Sequence, residues 1–361
     1  MNYPKKMYGL VLTDHGGFEK MVWQNDISTP VPASGEVLVR VGASSINNTD
    51  VNTRVGWYSK TVRSDTASGA QAGYNASVEK DATWSGAAMT FPRIQGADCC
   101  GYIVGVGVGV SSERIGERVL VRALQSVEHE RDGGRTVSTF GSECDGAFAQ
   151  YTLVRASDAL KIQSSLSDVE LASFPCAFST AEGMIQRAGL GQERVLITGA
   201  SGGVGSAAIQ LAKRRGAYVS AITSGAKAQE LKALGADEII LRDATLPKQC
   251  FDVVLDLVGG ARWGHLLDSL VMGGRYVVGG AIAGPIVELD LRTLYLRDLS
   301  FFGCTYQPDN IFSDLVGYIE RGEISPMLAR TYPLRDMRVA QEAFLTKSHV
   351  GKIGITVSSK V

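Results

Sequence analysis

The sequence predicts an α/β protein of two domains, in which a doubly wound parallel sheet interrupts a β-rich domain shortly before its C-terminal end. Three observations carry this. The chain has 361 residues, roughly two domain lengths. GEVLVRVGASSI (35–46) alternates apolar with polar or small residues, as a half-buried strand does, within a first stretch, 1–58, that is β-rich. From about residue 160 strands alternate with helices, the pattern of a parallel sheet covered on both faces. The expected division is 1–160 with 309–361 for the β-rich domain and 161–308 for the parallel sheet.

In the β-rich part, CCGYIVGVGVGV (99–110) and RVLVRAL (118–124) read as strands. Gly105, Gly107 and Gly109 alternate with valines and leave one face bare for another backbone to approach. Residues 59–90 are rich in Ser, Ala, Gly and Thr without a period, as in a lid, a binding loop or a mobile excursion. SVEHERDGGRTVSTFGSECDG (126–146) reads as loop. In the second part, strands are expected at 194–199, 217–223, 237–241, 251–259, 275–281 and 299–305, with a last one at 352–357. Helices are expected at 206–216, closed by Gly216, at 226–235, closed by Gly235, at 317–327 and around Val339–Phe344.

Composition excludes several classes. The 36 basic and 37 acidic side chains give a net charge of −1, which offers no general attraction for nucleic acid or an anionic membrane. No apolar run reaches the roughly 20 residues of a membrane span, and MNYPKKMYGLVLTDHGG lacks a signal-peptide core. The six cysteines form no CxxC pair, which argues against a disulfide scaffold or a structural zinc lobe and leads us to expect a reducing cytoplasm.

The strongest motif is VLITGASGGVGSAAIQLAKRRGA. Gly199, Gly202, Gly203 and Gly205, with Ser201 and Val204 between them, join an apolar strand to an amphipathic helix, where a Rossmann turn needs glycine. Amides at the start of that helix, on the positive end of its dipole, suit a pyrophosphate. An NAD site often carries an acid about 20 residues on. Here the strand ends in Thr223-Ser224-Gly225, Lys227 follows, and Arg242 stands after the next strand. Ser224, Lys227 and Arg242 together suit the 2′-phosphate of NADPH; taken singly, each cation reads equally as a solvated charge.

INNTDVNTRVGWY (46–58), FPRIQGADCCG (91–101), DGAFAQY (145–151), FSTA (178–181), TGASGGVG (198–205), DLVGG (256–260) and HVGKI (349–353) occur in an order that resembles the medium-chain dehydrogenase/reductase superfamily over nearly the whole chain. The likeness is greater to its zinc-independent quinone oxidoreductase and enoyl reductase branches. The resemblance implies a GroES-like catalytic domain around a Rossmann domain, and hydride transfer between NADPH and a quinone or α,β-unsaturated carbonyl in the cleft between them. It also implies a homodimer, and cofactor contacts at Thr180, Gly280 and Lys352. Where zinc members of the superfamily carry Cys, His and Cys, this chain carries Asn47, Ala97 and Cys176, too few ligands for a catalytic zinc. Cys176 reads as a small buried hydrophobe, and the adjacent Cys99 and Cys100 point to opposite faces of their strand.

Tyr58 matches the tyrosine that enoyl reductases use as a proton-donor candidate; it either donates to the substrate or packs at the cleft mouth. Asn47 either donates its amide to substrate or cofactor, or ties down the 46–50 turn. Asp50 and Asp98 are expected to hold backbone amides. Thr180 either contacts the cofactor or caps the helix beginning AEGMIQRAG. The thirty-residue insert after Tyr58 departs from the small quinone reductases and leaves the substrate open; its Tyr74 and Trp84 line an entrance or pin the loop. LSFFGCTY (299–306), if a sheet edge, calls for pairing with its copy across a two-fold axis. Two other readings remain: an alcohol or aldehyde dehydrogenase, and an NADPH-binding sensor without turnover.

Overall fold

A computed structural model describes residues 3–74, 78, 80–128 and 135–358. The N-terminal part forms β1 (Lys6–Leu12), β2 (Met21–Ser28), β3 (Glu36–Ile46), the helix α1 (Asn48–Val55), β4 (Arg93–Ile94), β5 (Cys100–Val106), β6 (Arg118–Val121), β7 (Leu124–Glu128), β8 (Arg135–Thr139), β9 (Tyr151–Arg155) and β10 (Ala159–Lys161). Next come α2 (Asp168–Leu171), α3 (Pro175–Ala188), β11 (Arg194–Ile197), α4 (Gly203–Arg214), β12 (Tyr218–Thr223), α5 (Ala228–Ala233), β13 (Glu238–Leu241) and β14 (Phe251–Asp256). The chain finishes through α6 (Trp263–Ser269), β15 (Leu270–Val278), α7 (Leu291–Tyr295), β16 (Ser300–Gly303), α8 (Asp309–Glu320), β17 (Leu328–Pro333), α9 (Met337–Leu345) and β18 (Lys352–Thr356).

β3 organises the first lobe. It pairs antiparallel with β5, β9 and β18, and its apolar side chains divide between two cores: Leu38 and Ile46 in one, Val37, Val39 and Val41 in the other. The second lobe is a parallel sheet in the order β13-β12-β11-β14-β15-β16. The order reverses between β11 and β14, so a crevice opens outside their carboxyl ends, where ligands of such sheets bind. The α/β class and the GroES-like plus Rossmann-type architecture expected above are therefore what the chain adopts. Helix α8 packs on α3 and shares its core through Ile311, Phe312 and Leu315. Among the described residues no helix is long and apolar enough to cross a membrane.

Several local expectations need correction. The stretch 126–146 is not all loop: β7 and β8 pair antiparallel across it, and the polar alternation suits a two-stranded ribbon rather than a buried strand. The expected helix 317–327 lies earlier, at Asp309–Glu320, because Gly322 turns left-handed at φ 68° and Pro326 follows. The expected strand 99–110 ends at Val106; Gly107 lies against the Ala33 carbonyl and Gly109, at φ 84°, belongs to a turn. Strand β17 went unread, since LARTYP is mostly exposed and lacks the alternation of a half-buried strand. Cys99 and Cys100 do fall in different cores, as the strand geometry requires.

Residues 75–77 and 79 of the insert after Tyr58 lie outside the described residues; its described residues are anchored. The Arg54 guanidinium, fully buried, donates to the carbonyls of Gly16 (2.8 Å) and Ala70 (2.6 Å) and to Gln341 Oε1 (3.1 Å), and stacks over Phe18. Burial lowers its pKa to about 10, so it stays charged at neutral pH. Val55, Trp57, Val62, Val78 and Ala82 close a small core over it, with Tyr58, Tyr74 and Ala281 packed alongside. Tyr74 donates to the Asp65 carbonyl (2.7 Å) and so pins the loop to itself. Replacing Arg54 by Leu strands three buried acceptors, and we expect a loss of about 3 kcal/mol in urea unfolding; a change under about 1 kcal/mol would remove Arg54 from this role.

Candidate active site

The site begins at a buried carboxylate. Asp98 Oδ2 accepts from Ser45 Oγ (2.5 Å), Asn47 Nδ2 (2.7 Å) and Lys352 Nζ (2.9 Å), and Oδ1 accepts from the Cys176 amide (2.7 Å). Asp98 and Lys352 are both buried. Lys352 Nζ also donates to Asn47 Oδ1. One carboxylate thus ties β3, the start of α1, the start of α3 and β18 together. The second acid is as local as expected: Asp50 Oδ2 accepts the Asn47 amide (2.7 Å) and Oδ1 the Ala97 amide (3.2 Å). Burial, aided by nearby Asp98, pushes Asp50 up to about 7.

Of the two roles the sequence allowed Asn47, the structure shows the turn: Asp50 holds its backbone amide, while its side-chain amide donates to Asp98 and accepts from Lys352. Among the described residues no cluster of three His, Cys, Asp or Glu side chains stands in for a zinc-ligand trio. Ala97 packs beside Cys176, burial raises the Cys176 thiol, and Asn47 Oδ1 already accepts from an ammonium. These residues do not fit a three-ligand zinc.

Tyr58 stands on the other side of α1. Its hydroxyl donates to Thr49 Oγ1 (3.1 Å), and the indole Nε1 of Trp84, from the insert, donates to the same oxygen (2.7 Å). The Tyr58 ring meets Trp57 and Trp84 edge-on, each at 5.6 Å. Burial raises the Tyr58 phenol, which stays neutral across the working pH range. Asn52, one turn after Thr49, has a buried Oδ1 with no partner. The sequence reading missed Thr49 and Asn52; both lie inside INNTDVNTRVGWY at the i, i+3 spacing that puts them on one helix face.

The glycine turn closes the site from the second lobe. Gly199 adopts φ 57°, and a Cβ at Gly205 would sit 2.4 Å from the Gly199 carbonyl. Gly202 caps α4, and Gly203 lies against the Lys352 stem. Ser201, buried, accepts from Gly351 N through its carbonyl (2.9 Å) and from Lys227 Nζ through Oγ (3.3 Å). A dinucleotide's phosphates fit here: glycines without Cβ atoms, free amides at a helix start, and a Thr223 hydroxyl buried without a partner at the end of β12. Val204 is in the first turn of α4, and Gly280, after β15, packs on the Leu257 carbonyl. Thr180 does not cap its helix. That helix starts at Pro175, and Thr180 Oγ1 donates back to the Cys176 carbonyl (2.7 Å).

Lys227 is buried, while Arg242 and Ser224 lie further out. Lys227 Nζ donates to the Lys347 carbonyl (2.5 Å), and Lys347 Nζ, seated 3.6 Å from the Phe344 ring centre, donates to Asn48 Oδ1 (2.9 Å). Burial and the Lys227 charge lower Lys347 to about 7. Burial lowers Lys227 as well, with Arg242 adding repulsion. Asp256, quoted only within DLVGG, fixes the opposite side of the crevice by accepting from Thr198 Oγ1 and Tyr276 OH, both at 2.6 Å.

Lys352→Met keeps the stem against Gly203 and leaves Asp98 without its cation. We expect a cost of about 3–5 kcal/mol, the usual penalty for a buried charge stripped of its partner, read by equilibrium unfolding. A loss under about 1 kcal/mol would show that Ser45, Asn47 and the Cys176 amide suffice for Asp98.

Comparison with known proteins matches this geometry to one family. The alcohol dehydrogenase GroES-like domain matches residues 33–164, and the zinc-binding dehydrogenase domain residues 203–321. The acryloyl-coenzyme A reductase of Metallosphaera sedula is 28% identical over 344 residues, covering 92% of this chain and 95% of its own. The quinone oxidoreductase of Lama guanicoe is 26% identical, covering 93% of each. A crystal structure from Sinorhizobium meliloti 1021, provisionally described as an alcohol dehydrogenase, is 40% identical, with a TM-score of 0.86 over 99% of this chain and 98% of that one. With both domains matched in order around one glycine turn, the chain belongs to the medium-chain dehydrogenase/reductase superfamily of oxidoreductases.

Proposed function

We propose that the chain is an NADPH-dependent, zinc-independent reductase that passes hydride to a quinone or an α,β-unsaturated carbonyl. The observation that carries this is the buried donor cluster of Tyr58, Thr49 and Trp84, set where Cys176 at the start of α3 and Ala281 beyond β15 approach it. When hydride reaches the β-carbon, negative charge develops on the substrate oxygen, and fixed donors there lower the barrier. The cofactor supplies the hydride. The protein supplies the donors, an apolar wall from Trp57, Trp84 and Val78, and the phosphate cradle. The quinone and acryloyl-coenzyme A reductase relatives support an acceptor with a conjugated carbonyl. The free cysteines agree with a reducing cytoplasm.

The choice of NADPH rests on cations without an acid. Ser224, Lys227 and Arg242 surround the end of β12, and Lys347 joins them from the other lobe through the Lys227 contact. The roles of the glycine turn, Thr180, Gly280 and Lys352 toward the cofactor belong to this same reading. The test is NADPH and NADH binding by fluorescence, followed by absorbance decay with 1,4-benzoquinone, 2-hexenal, crotonyl-coenzyme A and acetaldehyde. Turnover of conjugated acceptors with NADPH is expected; tight NADPH binding without turnover of any acceptor would overturn the enzyme reading in favour of a sensor.

Binding should also depend on pH in a defined direction. Lys347, near 7 in the free protein, is charged below that pH and neutral above it. A 2′-phosphate must recharge it above pH 7, so NADPH affinity falls as pH rises, by about tenfold between pH 7 and 8.5. NADH, lacking that phosphate, should change much less, and equal slopes for the two cofactors would exclude Lys347 from the phosphate site.

We also propose a homodimer. β16 is the outer strand of the parallel sheet, and Ile286, Leu291, Tyr295 and Leu296 expose apolar surface in the segment leading to it, Leu291 at 65%. Light scattering at micromolar concentration should give twice the chain mass, and Leu291→Glu with Leu296→Glu should halve it. A wild-type monomer would end this proposal.

A further inference from the structure

The insert 59–90 sends one side chain into the donor cluster. Trp84 Nε1 lies 2.7 Å from Thr49 Oγ1. An indole N–H can only donate, so Thr49 must accept. The Tyr58 hydroxyl donates to the same oxygen from 3.1 Å. A threonine hydroxyl has two acceptor positions and one proton. With both acceptor positions filled, only the O–H direction is left, and among the described residues no acceptor takes it. Thr49 is 6% exposed, so bulk water is not its partner. Beside the same phenol Asn52 Oδ1 is a buried acceptor without a partner, so the cluster keeps one donor, the Thr49 O–H, and one acceptor unanswered.

We propose that Trp84 is a positioning residue of the reaction: by holding one acceptor position of Thr49 while Tyr58 holds the other, it aims the Thr49 proton at the substrate carbonyl oxygen. The donor that touches the substrate is then Thr49, and Tyr58, kept neutral by burial, acts through it. No proton leaves either residue in this step; the Thr49 O–H bond stays intact and its hydrogen bond shortens as charge grows on the oxygen. The insert is thereby part of the catalytic apparatus, although no chemistry-bearing motif marks it. This rests on the reading of the Tyr58 cleft as the place of hydride transfer.

Five variants test it with 2-hexenal and NADPH: Thr49→Val, Thr49→Ser, Trp84→Phe, Tyr58→Phe and the double variant T49V/W84F. Thr49→Val should lower kcat about a hundredfold, the usual effect of losing one oxyanion donor, while Thr49→Ser stays within about threefold of wild type. Trp84→Phe keeps the ring and loses the N–H; we expect kcat to fall about tenfold with KM for NADPH unchanged. The double variant should be no slower than Thr49→Val, because Trp84 has nothing left to aim. A second readout needs no cofactor: the indole N–H resonance absent from Trp84→Phe should keep its place in Thr49→Ser and move in Thr49→Val.

Unchanged kcat in Trp84→Phe, or an equal loss on the wild-type and Thr49→Val backgrounds, would overturn the inference. If Tyr58→Phe lowers kcat and Thr49→Val does not, the aim through Thr49 is wrong and the site reading stands. If neither variant changes kcat, the site reading itself fails. Should Thr49→Val not fold, Thr49→Ser with Trp84→Phe still decides, since a retained hydroxyl must show the Trp84 effect in full.

Discussion

Asp98 is the constraint on which the rest of the architecture turns. A carboxylate with no exposure is expensive unless every lone pair is answered, and here it is answered by four partners from three segments far apart in sequence: Ser45 with Asn47, the Cys176 amide, and Lys352. Ser45 stands at the end of β3, Asn47 caps α1, Lys352 begins β18, and Cys176 lies at the start of α3, the helix that leads into the second lobe. The stem of the lysine it holds lies along Gly203, in the first turn of α4. The floor of the cleft and the glycine turn are therefore tied to one electrostatic knot. It also explains why Asn47 and Lys352 have so little freedom: each is committed to the other as well as to Asp98.

The two acids near the knot differ through their surroundings. Asp98 has a cation and three further donors, while Asp50 has backbone amides and a distant share of the same cation. Burial without a direct counter-charge is what pushes Asp50 toward neutrality. Its work is to hold α1 at the angle that brings Thr49, Asn52 and, past Gly56, Tyr58 to one place.

Much of this was legible in the residues. The glycine turn in its strand–helix context and the alternating grammar after residue 160 are local signals, and they led to the correct sheet class. Asp50 holds two backbone amides as read, but Asp98 holds only one, and its three other donors are side chains, one of them a lysine. What was not legible depends on long-range encounter. Nothing in TWSG announces that Trp84 reaches Thr49, 35 positions earlier. Lys347 drew no reading from the sequence, since its link to Lys227 runs through a backbone carbonyl, and Lys352 gives no sign in sequence that its partner is Asp98. Thr180 misled because its helix begins five residues earlier, at a proline that fixes the first turn.

The bridge between Gly202 and Gly351, with the Gly351 amide on the Ser201 carbonyl, joins the phosphate loop to the approach of the final strand, backbone to backbone. Together with the Asp98 contact to the Cys176 amide it welds the lobes along the base of the cleft. At the rim the connection is of another kind: the Thr66 amide and hydroxyl both rest on the Ile282 carbonyl, a pair of bonds at 3.0 and 3.3 Å from the insert. The insert that furnishes Trp84 therefore also binds the segment after β15, through Thr66 on Ile282 and through Ala281 packed on its core, so the aromatic wall and this contact across the mouth are carried by one stretch of chain.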